Sequence, residues 1–204
     1  MTSRRIDIVG DVSHLKDYAF GPAALGWWGG IGFMLIEGMA FVLAIGTYFY
    51  LMPFEQHWPP AGPPPDLRYG TAFTILMAIS LIPNQLAIRA AQRMDLRRVQ
   101  LMLLIMIAIG IALLILRGFE YTTLNERWDT NAYGSILWAI MVIHTIHLAT
   151  DVYDSLPLAA IVFFKPVDGR KFSDVEDNAA YWYFVAVSWF VLYVLIYWVP
   201  RMVS

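Results

Sequence analysis

Five long apolar runs, at residues 25–51, 67–90, 99–116, 132–164 and 180–199, alternate with short polar breaks along this chain. A helix rises about 1.5 Å per residue, so roughly 20 apolar residues cross a hydrocarbon core of about 30 Å, and each run is of that order. The pattern predicts an all-α integral membrane protein. Five transmembrane helices form one up-and-down bundle (25–200), preceded by a polar arm (1–24) and followed by a short end (201–204). The arm lacks the apolar run of a signal peptide, so the first span is expected to remain in the mature protein. No half of the chain echoes the other, as an inverted-repeat transporter would.

Polar residues inside the apolar runs mark where chemistry can reside. Glu37 stands near the middle of the first run, where a charge facing lipid costs at least about 2.5–3.5 kcal/mol, so it is expected to face protein. Gly26, Gly30, Glu37 and Ala44, with Phe33 and Phe41, share its helical face, and the Gly26–Gly30 spacing suits close helix packing. In the third run Arg117 and Glu120 are three apart and are read as an ion pair at the outer interface, with a snorkelling surface pair as the plain alternative. In the fourth, His144, His147 and Asp151 fall on one face. That spacing can present metal ligands, but the other ligand types within the spans are few, and hydrogen-bonded histidines are favoured over a metal site. Pro157 follows, where the long helix is expected to bend or loosen. Tyr181, Trp182, Tyr197 and Trp198 at the two ends of the fifth run suit interfacial aromatic belts.

Composition sharpens this picture. The 204 residues are 59% hydrophobic and 15% charged, with no cysteine and a formal net charge of −2, and mean hydropathy is +0.57. Soluble domains carry about 25% charged residues. Nothing in the charge points to nucleic acid. Without thiolates, an iron–sulfur cluster has no ligands. Of the four histidines, His14 and His57 lie outside the spans, and His144 and His147 are three apart on one helix and cannot clamp a haem between them. The chain is expected to hold no haem, copper or other metal of its own.

The basic residues are unevenly placed. Arg4, Arg5, Lys16, Arg89, Arg93, Arg97, Arg98, Lys165, Arg170 and Lys171, ten of fourteen, fall on one side of an alternating topology. The positive-inside rule then puts the N-terminus in the cytoplasm and the C-terminus outside. Arg89, Arg93, Arg97 and Arg98 are candidates for holding anionic lipid headgroups. The first loop carries six of the eleven prolines and is expected to be a stiff, extended strap.

These residues give the chain a resemblance to subunit III of the haem–copper oxidases, the cytochrome c and quinol oxidase family. Glu37 in GFMLIEGMAF resembles that family's third-helix carboxyl, and LRYG (67–70), FEY (119–121) and YGS (133–135) resemble recurring segments. His144 and His147 match its H-x-x-H, and YWYFVAVSWFVLYVLIYW is similar to its closing YWHFVD-x-x-W-x-x-LY-x-x-x-YW. The likeness spans about residues 26–198 and corresponds to a short five-helix form without the two leading helices. Tyr183 stands where the family has His, and Ala186 where it has Asp.

The resemblance implies a non-catalytic subunit of a proton-pumping terminal oxidase of aerobic respiration. The chain would lie in a bacterial inner membrane, beside a catalytic subunit I that carries the haem and copper, and near subunit II. It would bind phospholipid and support stability and proton uptake, with Glu37, His144, His147 and Asp151 as buried polar, proton-linked candidates. Two other functions fit the residues less well: an accessory subunit-III-like protein of a nitric oxide reductase, and an independent proton-coupled transporter using Glu37.

Overall fold

The computed structural model describes residues 18–60 and 62–203, so the early arm with Arg4, Arg5, His14 and Lys16 lies outside the described residues. Five long helices are present, and no strand occurs among the described residues: α1 (Leu25–Leu51), α2 (Leu67–Gln92), α3 (Leu96–Thr122), α4 (Ala132–Phe164) and α5 (Gly169–Tyr193). α5 continues through a π-helical turn (Val194–Trp198) into a last α-helical turn (Val199–Val203). All five are long and apolar enough to cross a membrane.

Several helices overrun the apolar windows. α3 begins at Leu96 and ends at Thr122, and α5 starts at Gly169, eleven residues before the run at 180. Hydropathy reports where hydrocarbon begins, whereas the helix end is set by capping. Asp66, Asp95, Asn131 and Asp168 each accept a bond from a backbone N–H of the first turn of α2, α3, α4 and α5. α4 runs unbroken past Pro157, and α2 past Pro83.

α1 packs on α4 and α5, α2 on α3 and α5, and α3 on α4, while α4 and α5 also meet through the middle. The last two are therefore the most enclosed helices, and α1 turns most of its surface outward. Chain direction alternates. At one end Gly21 N–H donates to Glu176 Oε2 (2.9 Å), Gln92 to Glu176 Oε1 (2.7 Å) and Ser173 to Ala19 O (2.6 Å). At the other, Asn125 donates to Pro63 O (3.0 Å) and Arg201 to Pro65 O (2.6 Å).

The proline-rich loop is not an extended strap. After a short turn at Met52–Phe54 it folds back over the bundle, and Trp58, 3% exposed, packs against Tyr48 and Tyr133. The Trp58 indole N–H donates to Tyr48 Oη (2.7 Å). One aromatic residue with a polar handle thus anchors a segment that cannot form a helix.

Candidate functional site

Two polar clusters lie within the bundle. The first joins α3, α4 and α5. Arg117 Nη1 donates to Glu120 Oε2 (2.6 Å), and Arg117 Nη2 to His144 Nδ1 (3.1 Å). A guanidinium only donates, so His144 Nδ1 is the acceptor, and the ring proton sits on Nε2, facing Val185 O at 3.1 Å. Tyr197 Oη–H donates to the other Glu120 oxygen. The guanidinium is clamped between the Phe73 ring (3.9 Å to the centroid) and the Trp189 ring (4.0 Å). The ion pair thus forms, but it is enclosed within the bundle and not displayed at an interface: its side chains are 1% and 0% exposed. The burial follows from neighbours that the spacing does not reveal, namely Tyr197 one helix away and two aromatic faces that replace solvation of the cation.

The second cluster lies where α1 meets α4 and α5. Tyr181 Oη–H donates to Glu37 Oε2 (2.7 Å), and Glu37 Oε1 lies 3.6 Å from His147 Nε2. His147 Nδ1 is 2.6 Å from Ile143 O, which can only accept, so that nitrogen carries a proton. His147 Nε2 has no hydrogen-bond partner among the described residues. At 3.6 Å it is beyond a formed hydrogen bond. Phe41, with its ring centroid 4.9 Å from that of His147, covers one side. The Glu37 side chain is 21% exposed. Gly26, one face and three turns earlier on α1, sits so close to α5 that an added Cβ would lie 2.5 Å from Asp177 Oδ2.

Asp151 partners neither histidine. It is 2% exposed and lines a small cavity with Asn84, Ser155 and Asn178. The aromatic-belt expectation also fails for three of its four residues. Tyr181 reaches Glu37, Trp182 (2% exposed) donates to Ser80 Oγ at 2.8 Å, and Tyr197 reaches Glu120; Trp198 alone is exposed. In each inward case a hydrogen-bond acceptor on another helix, buried or partly buried, outweighs the interface as a partner for the ring's polar end. Tyr183 donates to Gln85 Oε1 (2.7 Å), and Ala186 is fully buried. Sequence reading missed Asn84, which donates to Ala179 O (2.8 Å). Its spacing of four from Ser80 within an apolar run was the available signal.

Arg89, Arg93 and Arg98 line one groove of about 360 Å³ with Leu86, Leu101 and Met102, whereas Arg97 is outside it. A second, apolar groove of about 580 Å³ runs between α1 and α5, past Met34, Gly38 and Val42 on one wall and Phe184, Val187 and Val191 on the other. Among the described residues no cluster of three or more His, Cys, Asp or Glu is arranged to hold a metal ion.

The family model for cytochrome c oxidase subunit III matches residues 26–201. Cytochrome c oxidase subunit 3 of Thermostichus vulcanus is 24% identical over 173 residues, covering 83% of this chain and 85% of the relative. The Synechocystis subunit 3 is 27% identical over 185 residues (87% and 77%), and that of Corynebacterium diphtheriae is 28% identical over 142 residues (66% and 67%).

Proposed function

From the premise that this chain, a multi-pass membrane protein, belongs to the cytochrome c oxidase subunit III family, we propose that it is the non-catalytic subunit of a terminal oxidase. It docks beside the catalytic subunit I, with subunit II nearby, and supports the complex's proton uptake and durability. Haem and copper belong to the partner, and this chain supplies protein surface, lipid sites and a buried carboxyl. The reading is carried by the Glu37–His147–Tyr181 cluster, a proton-sized gap between two titratable groups on the least covered helix of the bundle. Such a pair can take up and release a proton without a large rearrangement, because both partners are already fixed by other bonds. The apolar α1–α5 groove supports acyl-chain binding, and the groove lined by Arg89, Arg93 and Arg98 supports an anionic headgroup. The basic ends are assigned to the cytoplasmic side, which places the C-terminus outside.

The test uses the intact complex, purified through a tag on this chain. Co-purification of a haem- and copper-bearing subunit is expected. Removing the chain should leave the haem spectrum unchanged and shorten sustained oxygen consumption, and Glu37→Gln should reproduce the second effect in part. Purification of the chain without such a partner would overturn the assignment, and unchanged sustained turnover would remove the supporting role.

A further inference from the structure

We propose that the interior of the bundle contains a built binding site for one water molecule, at Asp151, through which α2, α4 and α5 are tied together. The cavity has about 10 Å³ of room for water, the order of a single molecule. Four polar side chains stand in an otherwise mostly apolar wall: Asp151 and Ser155 lie one turn apart on α4, Asn178 comes from α5 and Asn84 from α2. Asp151 is 2% exposed, lines this cavity and forms no hydrogen bond through its carboxyl among the described residues, while a sliver of that carboxyl stays accessible. Buried carboxyl oxygens without donors are costly, and a cavity that is both polar and large enough holds water.

The donor and acceptor pattern selects water over a cation. Asn178 Nδ2 donates to Ser155 Oγ at 3.1 Å, but the Ser155 hydroxyl finds only Asn178 Oδ1 at 3.4 Å as its own acceptor. The site therefore lacks a donor for Asp151 and a good acceptor for Ser155. A water supplies both at once, whereas a metal cation can satisfy the carboxylate but cannot accept the Ser155 proton. A dehydrated cation would also need five or six oxygens, more than this cavity brings together. The water would fix the first half of α5, from which Tyr181 extends to Glu37, and the site stands independently of any proton role of Glu37.

The cavity has two built-in reporters, since Met106 and Trp182 line it while being 7% and 2% exposed. Hydroxyl radicals generated by X-ray radiolysis in oxygen-18 water label oxidisable side chains beside bound water, even inside a protein. In the purified complex, Met106 and Trp182 should be labelled severalfold more than Met77 and Trp189, which are fully buried elsewhere. Asp151→Leu, which fills the cavity, should bring both down to the level of the controls, and Asp151→Asn, which keeps a polar partner, should retain the labelling. If Asp151→Leu misfolds, the controls become labelled too, and the wild-type ratio decides the matter. Protection of Met106 and Trp182 equal to that of the controls in the wild type would overturn the proposal. So would labelling that disappears when sodium or potassium is added, since that would make the occupant a cation.

Discussion

The Arg117 and Glu37 clusters share three parts, a carboxylate, a tyrosine hydroxyl and a histidine, and the first adds a guanidinium, yet they are built to opposite ends. Around Arg117, each carboxylate oxygen of Glu120 and each histidine nitrogen has a partner and two aromatic faces cover the cation, which leaves only the Arg117 Nε–H without an acceptor among the described residues. Around Glu37 one bond is left open, the 3.6 Å gap to His147 Nε2, and the carboxyl is 21% exposed. A closed network rigidifies, because every change of protonation breaks something. An open one leaves a polar group free to meet a further partner, which is the basis of the proton role proposed for Glu37. The comparison separates a structural brace from a candidate functional group among residues that look alike in sequence.

Breaking the closed cluster should have the largest effect. Arg117→Met leaves Glu120 enclosed without its cation, and loss of one member of a buried pair costs about 3–5 kcal/mol. The chain should vanish from membranes or unfold at much lower temperature, as read by immunoblot and thermal scanning. Pairing the change with Glu120→Gln should recover much of the loss. Full stability of Arg117→Met alone would show that the network is not a brace.

Next comes Glu37→Lys, which places a cation beside His147 and near mid-span, at about 2.5–3.5 kcal/mol. Its level in the complex should fall, whereas Glu37→Gln, still able to accept from Tyr181, should assemble normally. Equal loss in both variants would mean that Glu37 is also a brace. Tyr181→Phe removes one hydrogen bond and should cost about 1 kcal/mol, visible as a small shift in the melting temperature. The smallest effect is expected at the exposed pair Arg127–Asp129, joined at 3.0 Å with side chains 75% and 42% exposed. Arg127→Ala should change stability by less than about 1 kcal/mol, and a loss comparable to that of Arg117→Met would undo the argument from burial.

The number, order and approximate length of the helices were determined by the chain's own composition, since only long apolar runs survive in hydrocarbon and only helices satisfy their backbone there. The alternation of direction followed from the short loops, and Glu37 was legible because a lone carboxyl in an apolar run stands out. What only the tertiary structure decided was which way the polar groups point. In water, an apolar stripe marks the inward face of a helix. In a membrane, lipid and protein interior are equally apolar, so periodicity says little about facing. Arg117 and Glu120 could as well have snorkelled, and Tyr181 and Tyr197 could have lain in the interface. Each turned inward because its hydrogen-bond partner sits on a helix distant in sequence, Glu37 for Tyr181 and Glu120 for Tyr197. Asp151 shares a helical face with His144 and His147, but their polar neighbours come from different helices, Arg117 of α3 at His144, Glu37 of α1 at His147, and Asn84 of α2 with Asn178 of α5 at Asp151, and that separation arises only when the helices pack.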